Sequence, residues 1–502
     1  MNHPPAISQA LSHDPDTVAI VDEQGSHSYG TILERSACVA AALLRGEADL
    51  AGKRVAFLMP PDSGYVAVLW GIWRAGGIAV PLCAQHPAAE MQYVIEDSGA
   101  DFIVAHPEFE ATLRPLAETL GRNFVLAEPP RGATPSTLPD VPADRGALIV
   151  YTSGTTSRPK GALSLHRNLA AQVTSLVEAW GWTSQDRTAL ILPLHHVHGI
   201  VNVVCCALWS GAECEMLRHF DAEVVWNRLS GGHLTLFMAV PTIYNRLIAA
   251  WEKAPESQRK TWSAGCAKLR LMVSGSAALP VPVFNRWKEI SGHPLLERYG
   301  MTEIGMALSN PLHGERRPGH VGAPLPGVEV RLIDETGKII QEEETPGEIQ
   351  VRGDTIFKEY WGKPKITAET FSGDGWFRTG DIAVLSQGSY RILGRNSVDI
   401  IKTGGYKVSA LEVEEVLLTH PAILEVAVIG VADVEWGERV AAATVLRSGK
   451  QLELGELRAW CKELMAIYKI PSLLRIVDSL PRNAMGKVVK PSVKDLFVQV
   501  PA

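Results

Sequence analysis

Tyr151-Thr152-Ser153-Gly154-Thr155-Thr156-Ser157-Arg158-Pro159-Lys160-Gly161 follows directly on the apolar run Leu148 to Tyr151. A short apolar run of this kind reads as a buried strand, and the hydroxyl-rich tract after it as the turn at the strand's end. Hydroxyl donors, backbone N–H groups, a flexible glycine and a lysine in one loop are what a polyphosphate requires, because each phosphate oxygen needs donors at close approach. The loop departs from the Walker pattern: Pro159 stands where that motif has its second glycine, and Gly161 where Ser or Thr follows the lysine.

Outward from this loop, short apolar runs alternate with amphipathic stretches, the pattern of βα units stacked into parallel sheets. Arg54 to Met59 reads as a strand, followed by a helix capped by Asp62 or Ser63, carrying Val66, Leu69, Ile72 and Trp73 on one face and ended by Gly76 and Gly77. Further strands are expected at Leu190 to Leu192, Thr235 to Val240 and Leu269 to Ser274, and ligands of such folds collect at the strand ends. From Gly380 onward the texture changes to a smaller α/β region of about 100 residues. It has a capping-box helix at Ser409-Ala410-Leu411-Glu412 and strands at Ile423 to Val431 and Val440 to Leu446. Pro129 to Pro142 reads as a proline-rich surface connection.

The chain has 502 residues, 46% hydrophobic and 21% charged, which excludes a fibre or a disordered chain and implies roughly two to four domains. Acidic residues (55) outnumber Lys and Arg (48), for a net charge of −7, so anionic ligands must be held by local groups. No basic stripe with interleaved aromatics suggests nucleic acid. The seven cysteines form no C-x-x-C pair and read as reduced core thiols. Met1 to Asp14 has neither transit-peptide nor signal-peptide character, and Ile200 to Trp209 falls well short of the ~20 residues of a membrane span; a soluble cytoplasmic enzyme is the expectation.

Further motifs follow in order: Leu194-His195-His196-Val197-His198-Gly199, Arg298-Tyr299-Gly300-Met301-Thr302-Glu303, Thr379-Gly380-Asp381, Gly394-Arg395, Lys402-Thr403-Gly404-Gly405-Tyr406-Lys407 and Pro481-Arg482-Asn483-Ala484-Met485-Gly486-Lys487. With the loop at 151–161, this series resembles the adenylate-forming superfamily of acyl-CoA synthetases, luciferases and peptide-synthetase adenylation domains, over nearly the whole chain. The resemblance implies an α/β fold: a large N-terminal domain (1–394) of stacked α/β subdomains plus a distorted β-barrel, then a small mobile α+β domain (395–502) hinged near Ser397. The small domain is expected to rotate between adenylation and thioester formation. Two positions depart from the family pattern: Ser157 replaces a usual glycine, and Ser397 stands where many relatives carry Asp or Lys.

By the same resemblance, Thr152, Ser153, Gly154, Thr155, Thr156 and Lys160 line the phosphates of ATP, Ser276, Ala277, Glu297 and Gly300 also bind ATP, and Tyr299 offers an aromatic face to adenine. Thr302 donates to the α-phosphate, Asp381 and Arg395 hold the ribose, and Glu303 with Thr155 ligates Mg²⁺. Lys487 bridges the carboxylate and α-phosphate, and His196 borders the acyl carboxylate. Gly404, Gly405, Tyr406 and Lys407 line the path of CoA. Taken by themselves, His195, His196 and His198 read as pocket-lining rather than metal-binding, since no cysteine or carboxylate stands at ligand spacing in the sequence.

Arg298 follows the apolar residues Leu295 and Leu296, and a guanidinium near an interior strand end is costly unless an anion meets it. Fatty-acyl and aryl relatives are usually uncharged there. Arg246, on the helix that the resemblance places along the acyl pocket, could join Arg298 on a second carboxylate, with Ser276, Val197 and Met306 closing a short pocket. The alternative is that Arg298 pairs with Glu297 and Arg246 faces solvent. The segment Leu295 to Glu303 and the stretch Val398 to Glu412 are similar to the malonate-activating branch of the superfamily. The expected reaction is ligation of malonate, with methylmalonate tolerated, to CoA, by a monomer or weak homodimer. A short- or medium-chain fatty acyl-CoA synthetase, or a ligase loading a carrier protein, is the alternative.

Overall fold

The computed structural model describes residues 7–127, 137–152, 159–396, 398–482 and 487–498. Two large sheets carry the N-terminal body. One has seven strands in the order Glu359–Tyr360, Lys160–Leu165, Gly146–Thr152, Ile78–Pro81, Arg54–Leu58, Phe102–Ala105 and Asn123–Leu126. The other has nine, with Gly305–Ser309, Leu296–Met301, Leu271–Ser274, Leu236–Ala239, Arg187–Leu190 and Glu213–Met216 in sequence across its middle. One apolar cluster joins them, with Ile20, Met238 and Val273 from the nine-stranded sheet and Val55, Leu148 and Val150 from the seven-stranded one. The helices Tyr29–Leu44, Ser63–Arg74 and His166–Trp180 fill the space with residues such as Ile32, Leu69, Ile72, Trp73 and Leu169.

The cap expected at Asp62 is present: its carboxylate accepts from the Gly64 and Tyr65 amides at 2.9 and 3.2 Å, and the helix stops before Gly76, whose φ is +79°. The strand expected at Leu190 to Leu192 instead spans Arg187–Leu190, because Arg187 and Thr188 pair with Glu213 and Cys214. Apolarity alone had hidden its polar start. Ile200 to Trp209 is helical: His198–Cys205 is wound as a π-helix and continues into the α-turn Cys206–Trp209. Such widened turns frequently mark functional sites.

The expected barrel takes the form of a four-stranded antiparallel sheet, Val328–Ile333, Gly347–Gly353, Phe377–Ser386 and Ser389–Arg395, joined to the body by a bridge between Gly322 and Tyr390. Beyond Arg395 a separate sheet forms from Ile400–Thr403, Tyr406–Ser409, Ile423–Asp433, Gly437–Leu446 and Leu473–Ile476, with its own core around Val413, Ile423, Val428 and Leu457. Ser409 caps the helix Ala410–Leu417 as the sequence suggests. No helix among the described residues is long and apolar enough to cross a membrane. All seven cysteines are buried and unpaired.

Candidate active site

Parallel pairing sets the site. Ser274 stands opposite Glu297 on neighbouring strands, so Gly275-Ser276 and Arg298-Tyr299 emerge side by side. The hairpin Leu296–Met301 to Gly305–Ser309 then turns at Thr302-Glu303. Thr152 pairs with Lys160, at the two ends of the expected phosphate loop. Ser153, Gly154, Thr155, Thr156, Ser157 and Arg158 lie outside the described residues, as do Ser397, residues 483–486, and 128–136 of the proline-rich connection.

At the phosphate end, the Lys160 ammonium lies 4.9 Å from the centre of the Tyr360 ring, and the Tyr360 hydroxyl donates to Glu303 Oε1 at 2.7 Å. Glu303 is buried. Tyr360 has no place in the sequence-derived site; its signal was an aromatic pair, Tyr360-Trp361, before Gly362. At the adenosine end, the Tyr299 hydroxyl donates to Asp381 Oδ2 at 2.5 Å and Arg395 Nε donates to Asp381 Oδ1 at 3.0 Å. Asp381 and Arg395 themselves occupy opposed positions on adjacent strands.

Glu297 turns toward the neighbouring turn at Leu279. Its carboxylate is buried and accepts the Leu279 amide at 3.0 Å, holding the turn that carries Ser276 and exposed Ala277. Burial pushes this carboxyl up to about 8, so it keeps its proton at neutral pH.

That matters for Arg298, which is 3% exposed. Its Nη2 donates to Ser276 Oγ at 3.4 Å and its Nε has no partner, and no ion pair reaches it among the described residues. The alternative of an internal pairing with Glu297 is therefore not formed. Burial lowers the guanidinium's pKa, and only Glu297 opposes that. Gly275 lies directly beneath: a Cβ there would stand 2.6 Å from Arg298 Cζ. Ser276 holds φ +69°, a left-handed conformation that costs a serine energy and is kept here by its bond to His198 Nδ1 at 3.0 Å. His198 and His196 each bury an Nε2 without a partner. Burial holds His196 down to about 2 and His198 well below the usual range, so both are neutral.

Lys487 completes this group. Its residue surface is exposed, but its ammonium is close enough to Arg298, Arg395 and Asp381 for their charges to act on it, and lost hydration with the two cations lowers its pKa. A buried arginine, unpartnered imidazole nitrogens and a lysine around one space form a receptacle for anions. Met306 is 2% exposed and packs against Gly300, and half-buried Val197 joins the apolar core. Arg246 is not brought to Arg298: it is exposed, with its guanidinium 4.5 Å from the centre of the Phe220 ring.

Gly404 (φ +54°) and Gly405 (φ +83°) form the two-residue turn of a hairpin closed by Thr403 and Tyr406, a turn that demands positive φ at both positions. Tyr406 stacks on Tyr468 at 4.1 Å with an interplanar angle of 9°, the Trp436 ring flanks Gly404, and Lys407 pairs with Glu335 at 2.5 Å. This turn is not gathered with Lys487 at Arg298. A second unforeseen grouping adjoins the site: Cys83 and His86 lie beside His195.

A family model described as AMP-binding enzyme matches residues 7–361, and one described as AMP-binding enzyme C-terminal domain matches 412–487. The mitochondrial malonate–CoA ligase ACSF3 of Xenopus laevis is 49% identical over 97% of this chain and 90% of its own length. Among solved structures, ATP-bound MatB from Rhodopseudomonas palustris is 32% identical over 99% of each chain with a TM-score of 0.91. A malonyl-CoA ligase product complex with methylmalonyl-CoA and AMP is 37% identical over 95% of this chain and 100% of that one, with a TM-score of 0.69.

Proposed function

The chain belongs to the family of AMP-binding enzymes, and from that membership we propose that it joins malonate, and also methylmalonate, to CoA through an acyl adenylate, releasing AMP and pyrophosphate. The relatives named as malonate–CoA ligases support the reaction. The observation that carries the substrate class is Arg298: a buried guanidinium with a free Nε, beside a carboxyl that keeps its proton. A dicarboxylate fits this arrangement, because its distal carboxylate meets Arg298 and Ser276 while the reacting one lies by His196 and Lys487. Neutral imidazoles suit that space, since they line the pocket without fixing the acid as a salt.

In adenylation, a carboxylate oxygen attacks the α-phosphorus and pyrophosphate leaves. The charge gathered on the α-phosphate is met by Lys487 and the Thr302 hydroxyl, and the leaving phosphates by Lys160 and the loop 152–160. Glu303 fits a Mg²⁺ ion: it is a buried carboxylate to which, among the described residues, Tyr360 donates at one oxygen, leaving the other available as a hard ligand. Bound there, Mg²⁺ would neutralise phosphate charge. Arg395 and Tyr299 orient Asp381 toward the ribose. In the second half-reaction the small domain, bounded at residue 395 and hinged near Ser397, turns the Gly404-Gly405 hairpin to the adenylate. The exposed Tyr406, Tyr468 and Trp436 then offer faces to CoA. A closer match to the ATP-bound relative than to the product complex supports assigning the present arrangement to the first half-reaction. We assign the chain to the cytoplasm, a reducing compartment in keeping with its unpaired thiols.

The test is CoA-dependent AMP release from malonate, methylmalonate, acetate and octanoate. Malonate should lead in kcat/KM; acetate or octanoate leading would refute the dicarboxylate assignment.

A further inference from the structure

Cys83, His86 and His195 come from two distant parts of the chain, and their Sγ and ring nitrogens all lie within 4.8 Å of one another. Cys83 and His86 sit on a tight turn after the strand Ile78–Pro81: the His86 amide donates to the Cys83 carbonyl at 3.1 Å. Burial raises the pKa of the Cys83 thiol, and the backbone N–H groups of Gln85 and His86, directed at its Sγ, oppose that rise. His86 Nδ1 lies 3.4 Å from Glu90 Oε2, one helical turn on, which leaves Nε2 as the outward nitrogen in the way carboxylate-oriented metal ligands are held. The His86 and His195 rings stand 5.8 Å apart, and burial keeps His195 neutral at physiological pH, the form that can ligate.

We propose that Cys83, His86 and His195 bind one Zn²⁺ ion at the edge of the acyl pocket, and that its occupancy slows adenylation. One thiolate and two imidazoles are a donor set for borderline-soft Zn²⁺, with the fourth position left to water. Zn–S near 2.3 Å and Zn–N near 2.0–2.1 Å place tetrahedral donors about 3.5 Å apart, so from separations within 4.8 Å the three side chains draw together by at most about an ångström on binding. The Cys83 thiol proton leaves to solvent as the Zn–S bond forms. Drawing His195 toward Cys83 displaces its neighbour His196, whose ring lies 4.0 Å from that of His195. The inhibitory half rests on His196 bordering the substrate carboxylate; the binding half does not.

The full chain, stripped with chelator and free of ATP and Mg²⁺, is titrated with Zn²⁺ against a competing indicator, and separately with Co²⁺ to observe thiolate-to-cobalt absorption. One equivalent should bind, at least tenfold more weakly in both Cys83→Ser and His86→Asn, with the cobalt–thiolate band lost in Cys83→Ser. AMP release at buffered free Zn²⁺ should fall severalfold in the wild type, recover with chelator, and be insensitive in Cys83→Ser, whose metal-free rate is unchanged. Absent stoichiometric binding, or binding undiminished in both variants, overturns the site. Binding without inhibition overturns its regulatory role. If no acid supports AMP release while the Zn²⁺ results hold, the proposed reaction fails and the site stands.

Discussion

Lys490 Nζ lies 2.6 Å from Asp399 Oδ1 and 2.8 Å from Glu414 Oε1, three positions after Lys487 in the chain. Asp399 also accepts the Arg395 amide through Oδ2, so one ion cluster ties the start of the small domain to the segment bearing the adenylation lysine. All three side chains are under one-fifth exposed. Lys490→Met leaves two carboxylates facing each other in a dry setting, and removing one partner from such a cluster costs about 3 kcal/mol. A lower melting temperature with slowed pyrophosphate exchange is expected from calorimetry and isotope exchange; an unaltered melt would show that the cluster is dispensable.

Arg298→Ala removes the cation proposed to meet the far carboxylate. Loss of one partner from a buried charge pair costs about 2–5 kcal/mol, so malonate kcat/KM should drop by at least an order of magnitude in the AMP-release assay. Activity on acetate should change little. Arg298→Lys should recover only part, because Ser276 and the substrate need a forked donor.

Lys487→Ala should lower adenylation on the order of 10²–10³-fold, the usual effect of deleting one donor to a developing oxyanion. Hydrolysis-free conversion of supplied malonyl adenylate with CoA should persist, since that step uses the other face of the small domain. Because the Lys487 ammonium is held below the ordinary lysine range, the wild-type adenylation rate should fall on the alkaline side earlier than a free lysine would dictate. Lys487→Arg should abolish that limb, as stopped-flow rates across pH would reveal.

Glu297 provides a stability test. Its carboxyl is raised from 4.5 to about 8 in the folded chain, so the folded state holds a proton that the unfolded state has released. The associated stabilisation is complete below about pH 4.5, declines through the interval up to about 8, and is gone above it. Glu297→Gln keeps the bond to the Leu279 amide and should remove this decline. Melting curves from pH 5 to 9 should converge at low pH and separate in favour of the variant at high pH.

Tyr360→Phe frees Glu303 Oε1 of its donor. A net hydrogen bond is worth about 0.5–1.5 kcal/mol, so the Mg²⁺ concentration giving half-maximal adenylation should move severalfold, with malonate KM unaffected. A shift in malonate KM instead would place Tyr360 at the acyl end.

The presence of the strands, the Asp62 and Ser409 caps and the ordered motifs were legible in the sequence because each is a local pattern: residue type, spacing and period fix it within a turn or two. Arg298 could be recognised as anomalous for the same reason, a charge in an apolar run. What pairs with what across the fold could not be read. Glu297 was grouped with the ATP-binding residues by its neighbours, and its engagement with the turn at Leu279 could not be read from them. Arg246 shares a helix with buried Tyr244 but projects from the exposed side, against Phe220. Tyr360 reaches Glu303, and Cys83 reaches His195, only because sheet order brings separate segments together.

Gly275 carries the widest consequence. With a Cβ at that position within 2.6 Å of the Arg298 guanidinium, the arginine's seat exists only while residue 275 has no side chain. Gly275→Ala would push the arginine from that seat. The choice of acid therefore hangs on a residue that itself bears no charge. A lineage could trade a doubly charged diet for a singly charged one through a methyl group, and a designer seeking that exchange has an address for it.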